Sequence, residues 1–270
     1  MSFKKIITGL LLLILLGSGV AVAADFDKGV LAYKSGDFKI ALAEWTPLTE
    51  QGYAQAQSNL GLMYGLGEGV PENDKAAVKW FTKAAEQGIA ESQSNLGLMY
   101  ATGRGVPQND KTAVKWFTKA AEQGLAEGQF NLGAMYDLGD GVPENDKTAV
   151  KWYTLAAEQG YAMAQYQLGI MYANGRGVPE NDKTAVKWYT LAAEQGYAIA
   201  QRYLGAMYDF GDGVAENDKT AVKWYNLASY NGNEIAREYK DAVAKQMTPA
   251  DISKAQNMSS VCLESNYTDC

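Results

Sequence analysis

The sequence predicts an all-α protein, an α/α solenoid of helix–loop–helix units that repeat every 36 residues. Three observations predict it. Trp80, Trp116, Trp152, Trp188 and Trp224 are evenly spaced at that interval, and Trp45 sits one residue short of the register, so the set contains all six tryptophans. Glycines recur with the same period at Gly52, Gly88, Gly124, Gly160, Gly196 and Gly232. Between them, Gln57, Leu60, Gly61 and Tyr64 have the i, i+3, i+4, i+7 spacing of one helix face. A fixed period of this length means stacked units, because one helix pair cannot bury both of its apolar faces.

Residues 1–23 read as a secretory signal peptide. Lys4 and Lys5 form the positive start, Ile6 to Leu16 is an apolar run broken only by Thr8 and Gly9, and Ala21-Val22-Ala23 is an A-x-A cleavage site. Cleavage there implies a periplasmic or secreted chain. No cysteine stands at the new N-terminus to take a lipid, and no other apolar stretch is long enough to span a bilayer, so no stable membrane anchor is expected after cleavage. An uncleaved anchor is the other reading of this segment. Residues 24–52 are expected to form an N-terminal capping hairpin. There Ser35-Gly36-Asp37 replaces the long loop of later units, and Pro47 interrupts the second helix and should kink it.

Residues 53–232 hold five full units, starting near residues 53, 89, 125, 161 and 197. In the first, helix A is predicted over 54–65. The loop from Gly67 to Asp74 turns the chain, and Asn73 or Asp74 can cap helix B by accepting an orphan backbone N–H. Helix B is predicted over 75–87, with Ala77, Trp80, Phe81 and Ala84 as its buried stripe and Gly88 closing it in a left-handed conformation. Met63, Tyr64 and Trp80 read as core. Gly61 costs about 1 kcal/mol relative to alanine inside a helix. Its recurrence is expected to mark two backbones in close approach. Residues 233–270 are expected to form a C-terminal helical cap and tail. Its Cys262 and Cys270, the only cysteines, should pair in an exported protein and lock the cap. The alternative, a free catalytic pair, lacks C-x-x-C spacing.

The chain carries 24 basic and 31 acidic residues; without Lys4 and Lys5 the balance is 22 to 31, a net charge of −9. Such a chain is a poor candidate for nucleic acid. A local basic ridge runs down helix B through Lys75, Lys79 and Lys83, and again through Lys111, Lys115 and Lys119, and reads as a solvated face paired with nearby glutamates. The residue between the two loop glycines alternates Glu68, Arg104, Asp140, Arg176, Asp212, which predicts weak pairing between neighbouring loops, under about 1 kcal/mol per exposed pair. The same loops bring together Asp137 with Asp140 and Asp209 with Asp212, without the full oxygen set of a calcium loop. The absence of histidine removes Ser-His-Asp and Cys-His nucleophiles and histidine-ligated metals. No catalytic residue, metal or cofactor is assigned, and the chain reads as a non-enzyme.

The unit A-x-x-Q-x-x-L-G-x-M-Y-x-x-G-x-G-V-P-x-N-D-x-x-x-A-V-K-W resembles the Sel-one-like repeat (SLR) family. It reads here as Ala162 to Gln165, Leu168-Gly169, Met171-Tyr172, Gly175 to Pro179 and Ala185 to Trp188. The resemblance covers about residues 26–245. It implies a right-handed α/α superhelix related to tetratricopeptide arrays and used as a protein-interaction adaptor, in bacteria often exported, with signalling, envelope or host-contact roles. Cysteine-rich members staple each repeat and are linked to β-lactams; the repeats here contain no cysteine. A cell-wall or β-lactam enzyme and a structural envelope protein are the two alternative functions.

The partner surface is expected on the variable positions of helix A. Position 58 and its equivalents are Ser58, Ser94, Phe130, Tyr166, Arg202; position 59 gives Asn59, Asn95, Asn131, Gln167, Tyr203; position 55 gives Gln55, Glu91, Glu127, Met163, Ile199. Aromatic and arginine groups are the usual anchors of an interface. Phe130, Met163, Tyr166, Ile199, Arg202, Tyr203 and Phe210 are therefore expected to line a concave groove for a peptide or protein segment, in a chain expected to be monomeric. The competing role for some of them is to fill space between repeats.

Overall fold

The computed structural model describes residues 24–270, and the signal-peptide reading of 1–23 lies outside them. Among the described residues there are fourteen helices and no strand. The first pair is α1 (Phe26–Lys34) and α2 (Phe38–Glu50). Five pairs follow: α3 (Ala54–Leu66) with α4 (Asp74–Glu86), α5 (Ala90–Thr102) with α6 (Asp110–Glu122), α7 (Ala126–Leu138) with α8 (Asp146–Glu158), α9 (Ala162–Ala173) with α10 (Asp182–Ala193), and α11 (Ala198–Phe210) with α12 (Asp218–Tyr230). Then come α13 (Glu234–Ala244) and α14 (Pro249–Glu264). Each A helix packs on the B helix of its own pair, and each B helix on the A helix that follows; α14 turns back onto α12. The helix α2 runs through Pro47 without interruption.

The punctuation is local chemistry repeated. Asn73, not Asp74, caps α4 by accepting the Ala76 N–H at 3.0 Å, and Asn109, Asn145, Asn181 and Asn217 do the same for the later B helices. Asp74 becomes the first helical residue, where a negative charge suits the positive end of the helix dipole. The A helices end differently. Gly67 takes φ +73 and caps α3 in the left-handed conformation that glycine adopts without strain. The second loop glycine comes close to backbone. A Cβ on Gly105 would lie 2.5 Å from the backbone of Asp74, so the loop of one unit rests directly on the start of the preceding B helix.

Two expectations about the core need correcting. Inside helix A the recurring glycine faces an aromatic ring and not a backbone: a Cβ on Gly61 would meet the Phe81 ring at 2.7 Å, and Gly133 and Gly205 face Tyr153 and Tyr225 in the same way. Removing Cβ leaves a flat patch on which the ring lies. The tryptophans are also not uniformly core. Trp45 and Trp224 are buried, but Trp80, Trp152 and Trp188 are half-buried, as is Tyr64, whereas Met63 is buried. In the five repeats the residue after the tryptophan is the deep one: Phe81, Phe117, Tyr153, Tyr189 and Tyr225 are all buried.

The recurring glutamine has a role that its spacing did not reveal. Gln57 donates from Nε2 to the Thr49 carbonyl at 3.1 Å and accepts from Gln87 Nε2 at 2.8 Å. Gln93 does the same with Ala85 and Gln123, Gln129 with Ala121 and Gln159, and Gln165 with Ala157 and Gln195. In the last unit Asn231 takes over the donation, to Gln201. Each buried amide satisfies a carbonyl near the end of the preceding B helix and ties it to its own unit.

At the C-terminal end Cys262 and Cys270 are disulfide-bonded. Cys262 is buried against Trp224 and Leu227.

Candidate interaction surface

The helix-A face changes character along the stack. Over α3 and α5 it carries serine and asparagine at positions 58, 59 and 95, beside the exposed aliphatic Leu66 and Leu98, and no aromatic ring at those positions. Ser92 Oγ donates to Ser58 Oγ at 2.8 Å, Asn131 Nδ2 donates to Ser94 Oγ at 3.4 Å, and a groove of about 370 Å³ is lined by Phe26, Gln55, Asn59, Leu62, Glu91 and Asn95 among others. From α7 onward it is aromatic. Phe130 lies 5.7 Å from Tyr153 and 5.3 Å from Tyr161, centroid to centroid. Tyr166 stands at the centre of a cluster, 5.5 Å from both Tyr197 and Tyr203 and 6.1 Å from Tyr189, and Tyr203 stacks on Tyr189 at 5.5 Å. The Arg202 guanidinium caps Tyr203 at 4.3 Å and reaches Tyr239 at 6.0 Å, which in turn stacks on Tyr225 at 5.6 Å.

Burial pushes the Tyr166 hydroxyl well above its ordinary pKa; neighbouring Tyr203 adds to the shift and Arg202 opposes it. Tyr189 is raised for the same leading reason. These rings are neutral and held in place by one another.

Tyr166, Arg202 and Tyr203 therefore come together. Phe130 joins the unit before, through Tyr161. Met163 and Ile199 are exposed. Phe210 is exposed at the C-terminal end of α11 and belongs to none of these ring contacts. Tyr161, Tyr197 and Tyr239 take part without having been singled out from the sequence. Tyr161 and Tyr197 stand at the helix-A start position, which also holds Tyr53, Ile89 and Leu125, so their recurrence looked like core packing.

The expected pairing between neighbouring units is present, but with other acids than the alternating ones: Arg104 meets not Glu68 but Asp74 at 2.6 Å and Glu72 at 3.0 Å, at the end of the preceding loop. Arg176 likewise pairs with Asp137 at 2.6 Å and Asp146 at 2.7 Å. The cause is the loop resting on the start of the preceding B helix, where an aspartate stands. Glu68 accepts instead from the Tyr33 hydroxyl at 2.5 Å. The lysines of the B helices also lack the expected glutamate partners. Among the described residues no carboxylate lies within 4.0 Å of Lys75, Lys79, Lys83, Lys111, Lys115, Lys119, Lys151 or Lys187. Several lie over tryptophans: Lys79 and Lys83 each 5.0 Å from the Trp80 centroid, Lys119 4.8 Å from Trp116, Lys151 5.5 Å from Trp152. Such contacts contribute about 0.5–1 kcal/mol at exposed sites.

Among the described residues no group of three or more histidine, cysteine or acidic side chains is arranged to hold a metal ion. Asp137 is taken up by Arg176 and by the Tyr153 hydroxyl at 3.2 Å.

The Sel1 repeat family model matches residues 54–89, 90–125, 126–161, 162–197 and 198–233. The chain belongs to the Sel1 repeat family. Solved structures agree. A Sel1 repeat protein from Oxalobacter formigenes is 33% identical with a TM-score of 0.78, and the match covers 87% of this chain and 95% of that one. A protective antigen of uropathogenic Escherichia coli strains, with an SLR fold, is 36% identical with a TM-score of 0.77 over 90% of this chain. This chain spans only 54% of that antigen's length. An immunity protein from Pseudomonas aeruginosa, at 20% identity and a TM-score of 0.50, shares the fold alone. No curated protein matches. Sel1 repeats generally mediate protein interactions, and their all-helical solenoid is typically non-catalytic. No helix among the described residues is long and apolar enough to cross a membrane.

Proposed function

We propose that this Sel1 repeat protein is an interaction scaffold that holds a peptide or protein segment on the helix-A face of its last three repeats. Tyr166, Tyr203 and Arg202 are the anchors, with Phe130, Met163, Ile199 and Phe210 around them. The observation that carries the reading is the cluster of rings and one guanidinium at helix-A positions that hold serine and asparagine in the first two repeats. Aromatic and arginine groups dominate binding energy at interfaces. Rings already ordered by their neighbours lose little further freedom when a partner arrives.

The scaffold works outside the cytoplasm as a monomer, in an envelope, signalling or host-contact role. The Cys262–Cys270 disulfide supports an oxidising compartment, and the likeness to a protective antigen supports host contact. The test is binding by Tyr166→Ala and Tyr203→Ala variants to whatever partner the unmodified chain captures. Each anchor should cost about 2 kcal/mol, roughly thirtyfold in affinity. Full binding by the double variant, with helicity unchanged, overturns the reading.

A further inference from the structure

The helix-B side carries a second surface, and the chain's own C-terminus displays how it is used. Along α4, α6, α8 and α10 this side is open: Lys151 and Lys187 are exposed, and Leu155 and Leu191 are 36% and 37% exposed. On α12 the equivalent residues are covered. Lys223 is 4% exposed and Leu227 0%.

The cover is α14 and the tail. Lys219 pairs with Asp251 at 3.3 Å, and Lys223 Nζ donates to the Cys270 backbone oxygen at 2.8 Å while lying 3.9 Å from the Trp224 centroid. Ser259 Oγ donates to the Lys223 carbonyl at 3.3 Å. Ala255, Ser259 and Cys262 are the buried face of α14, small residues that let the helix come close. The Tyr267 ring sits 3.3 Å from the Cβ position of Gly196 and its hydroxyl accepts from Asn231 at 2.6 Å. Over Gly124 and Gly160, the equivalent positions, the space is open.

We propose that the exposed side of α8 and α10 docks a helical segment of a partner protein whose chemistry is that of α14 and its tail. Such a segment carries a carboxylate at its start for Lys147 or Lys183, small residues at i, i+4 and i+7 for close approach over Trp152 or Trp188, and a backbone oxygen acceptor beyond the helix for Lys151 or Lys187. Three observations single out this occupant. The lysines of α8 and α10 that face it have no carboxylate partner within 4.0 Å among the described residues, while the equivalent lysines of α12 are satisfied by this chemistry. Leu155 and Leu191 are exposed where Leu227 is fully covered. The first two repeats are excluded because they carry Lys83 and Lys119 at that leucine position. This surface is independent of the helix-A reading and lies on the other helix of each pair.

The test uses the full chain and a labelled peptide of residues 249–270 with its disulfide closed. The expected result is saturable binding, weakened by salt and reduced about tenfold by Lys187→Glu and by Leu191→Glu, and unchanged by Lys79→Glu. Two variants of different kind keep the result independent of any one charge, and circular dichroism checks that both fold. Absence of saturable binding overturns the proposal, as does binding indifferent to both substitutions. Binding abolished only by Lys223→Glu, or sedimentation as a dimer, also overturns it, because the segment would then be exchanging with its own site or that of a second copy.

Discussion

The first two repeats and the last three share one backbone and present different surfaces. In α3–α6 helix-A positions 58 and 59 and their equivalents are Ser58, Asn59, the buried Ser94 and Asn95, the deep aromatic is Phe81 or Phe117, and helix B carries a third lysine, Lys83 or Lys119. In α7–α12 the same positions are Phe130, Asn131, Tyr166, Gln167, Arg202 and Tyr203, then Tyr153, Tyr189 and Tyr225, then Leu155, Leu191 and Leu227. What holds the solenoid together is alike in both: the asparagine caps, the glutamine ties, the glycine under each ring. What differs is what solvent or a partner would meet. The proposed specificity resides in positions that the repeat leaves free, and position 58 and its equivalents become aromatic in the third and fourth repeats, as Phe130 and Tyr166.

If the two halves share one core logic, Phe117→Ala and Tyr189→Ala should destabilise alike, by about 3–5 kcal/mol, since each empties a buried ring site. Denaturant melts of the two variants check this; a loss confined to one would break the equivalence. The glutamine ties come next. Gln93→Ala and Gln129→Ala should each cost about 1 kcal/mol, because each removes the hydrogen bonds of one buried amide while the Ala85 or Ala121 carbonyl still accepts from the backbone N–H of Gly88 or Gly124. Unequal costs would mean that one junction is a weak point where the stack opens first.

The smallest effect separates the halves by pH. Tyr153, Tyr166, Tyr189 and Tyr225 are all raised, chiefly by burial. A raised native pKa gives stability that is complete below the unfolded value of about 10 and is lost above it. Phe81 and Phe117 have nothing to ionise, so among the five repeats alkaline opening should begin in α7–α12; Tyr33, raised to about 12 by burial and by Glu68, gives the N-terminal pair α1–α2 the same sensitivity. Lys223 acts in the opposite sense. Burial lowers it to about 8, with Glu194 opposing, so between about pH 8 and 10.5 the unfolded chain binds more protons and the α12–α14 contact tightens as pH rises. Hydrogen exchange at pH 7, 9 and 11 should record tightening of α14 and then loss of the C-terminal repeats before the first two. Uniform loss along the chain would contradict both assignments.

Much of this was legible in the sequence. The period, the helix pairs, the asparagine caps and the turn glycines are local chemistry repeated, and repetition makes them plain. Depth was not. Trp80 and Phe81 recur together, and a period cannot tell which of two adjacent residues points inward when about 100° of helix rotation separates them. The repeated Gly61 announces a close approach without naming what approaches. That Arg104 pairs with an acid of the preceding loop was visible in the spacing of the loops, whereas which acid it meets depends on how one loop rests on the start of the preceding helix, and that is not. The site was half legible. Tyr166, Arg202 and Tyr203 stand out as variable positions, but Tyr239 lies beyond the repeats and reaches Arg202 only through the stacking of α13 on α12.

The most direct test is photo-crosslinking in cells from position 166, with the equivalent position 58 in the first repeat as its comparison. The two occupy the same place on helix A and differ only in which half carries them. A discrete adduct from 166 and none from 58 is the predicted result. An adduct from 58 alone, or none from either, would contradict the assignment of the binding face to the aromatic half.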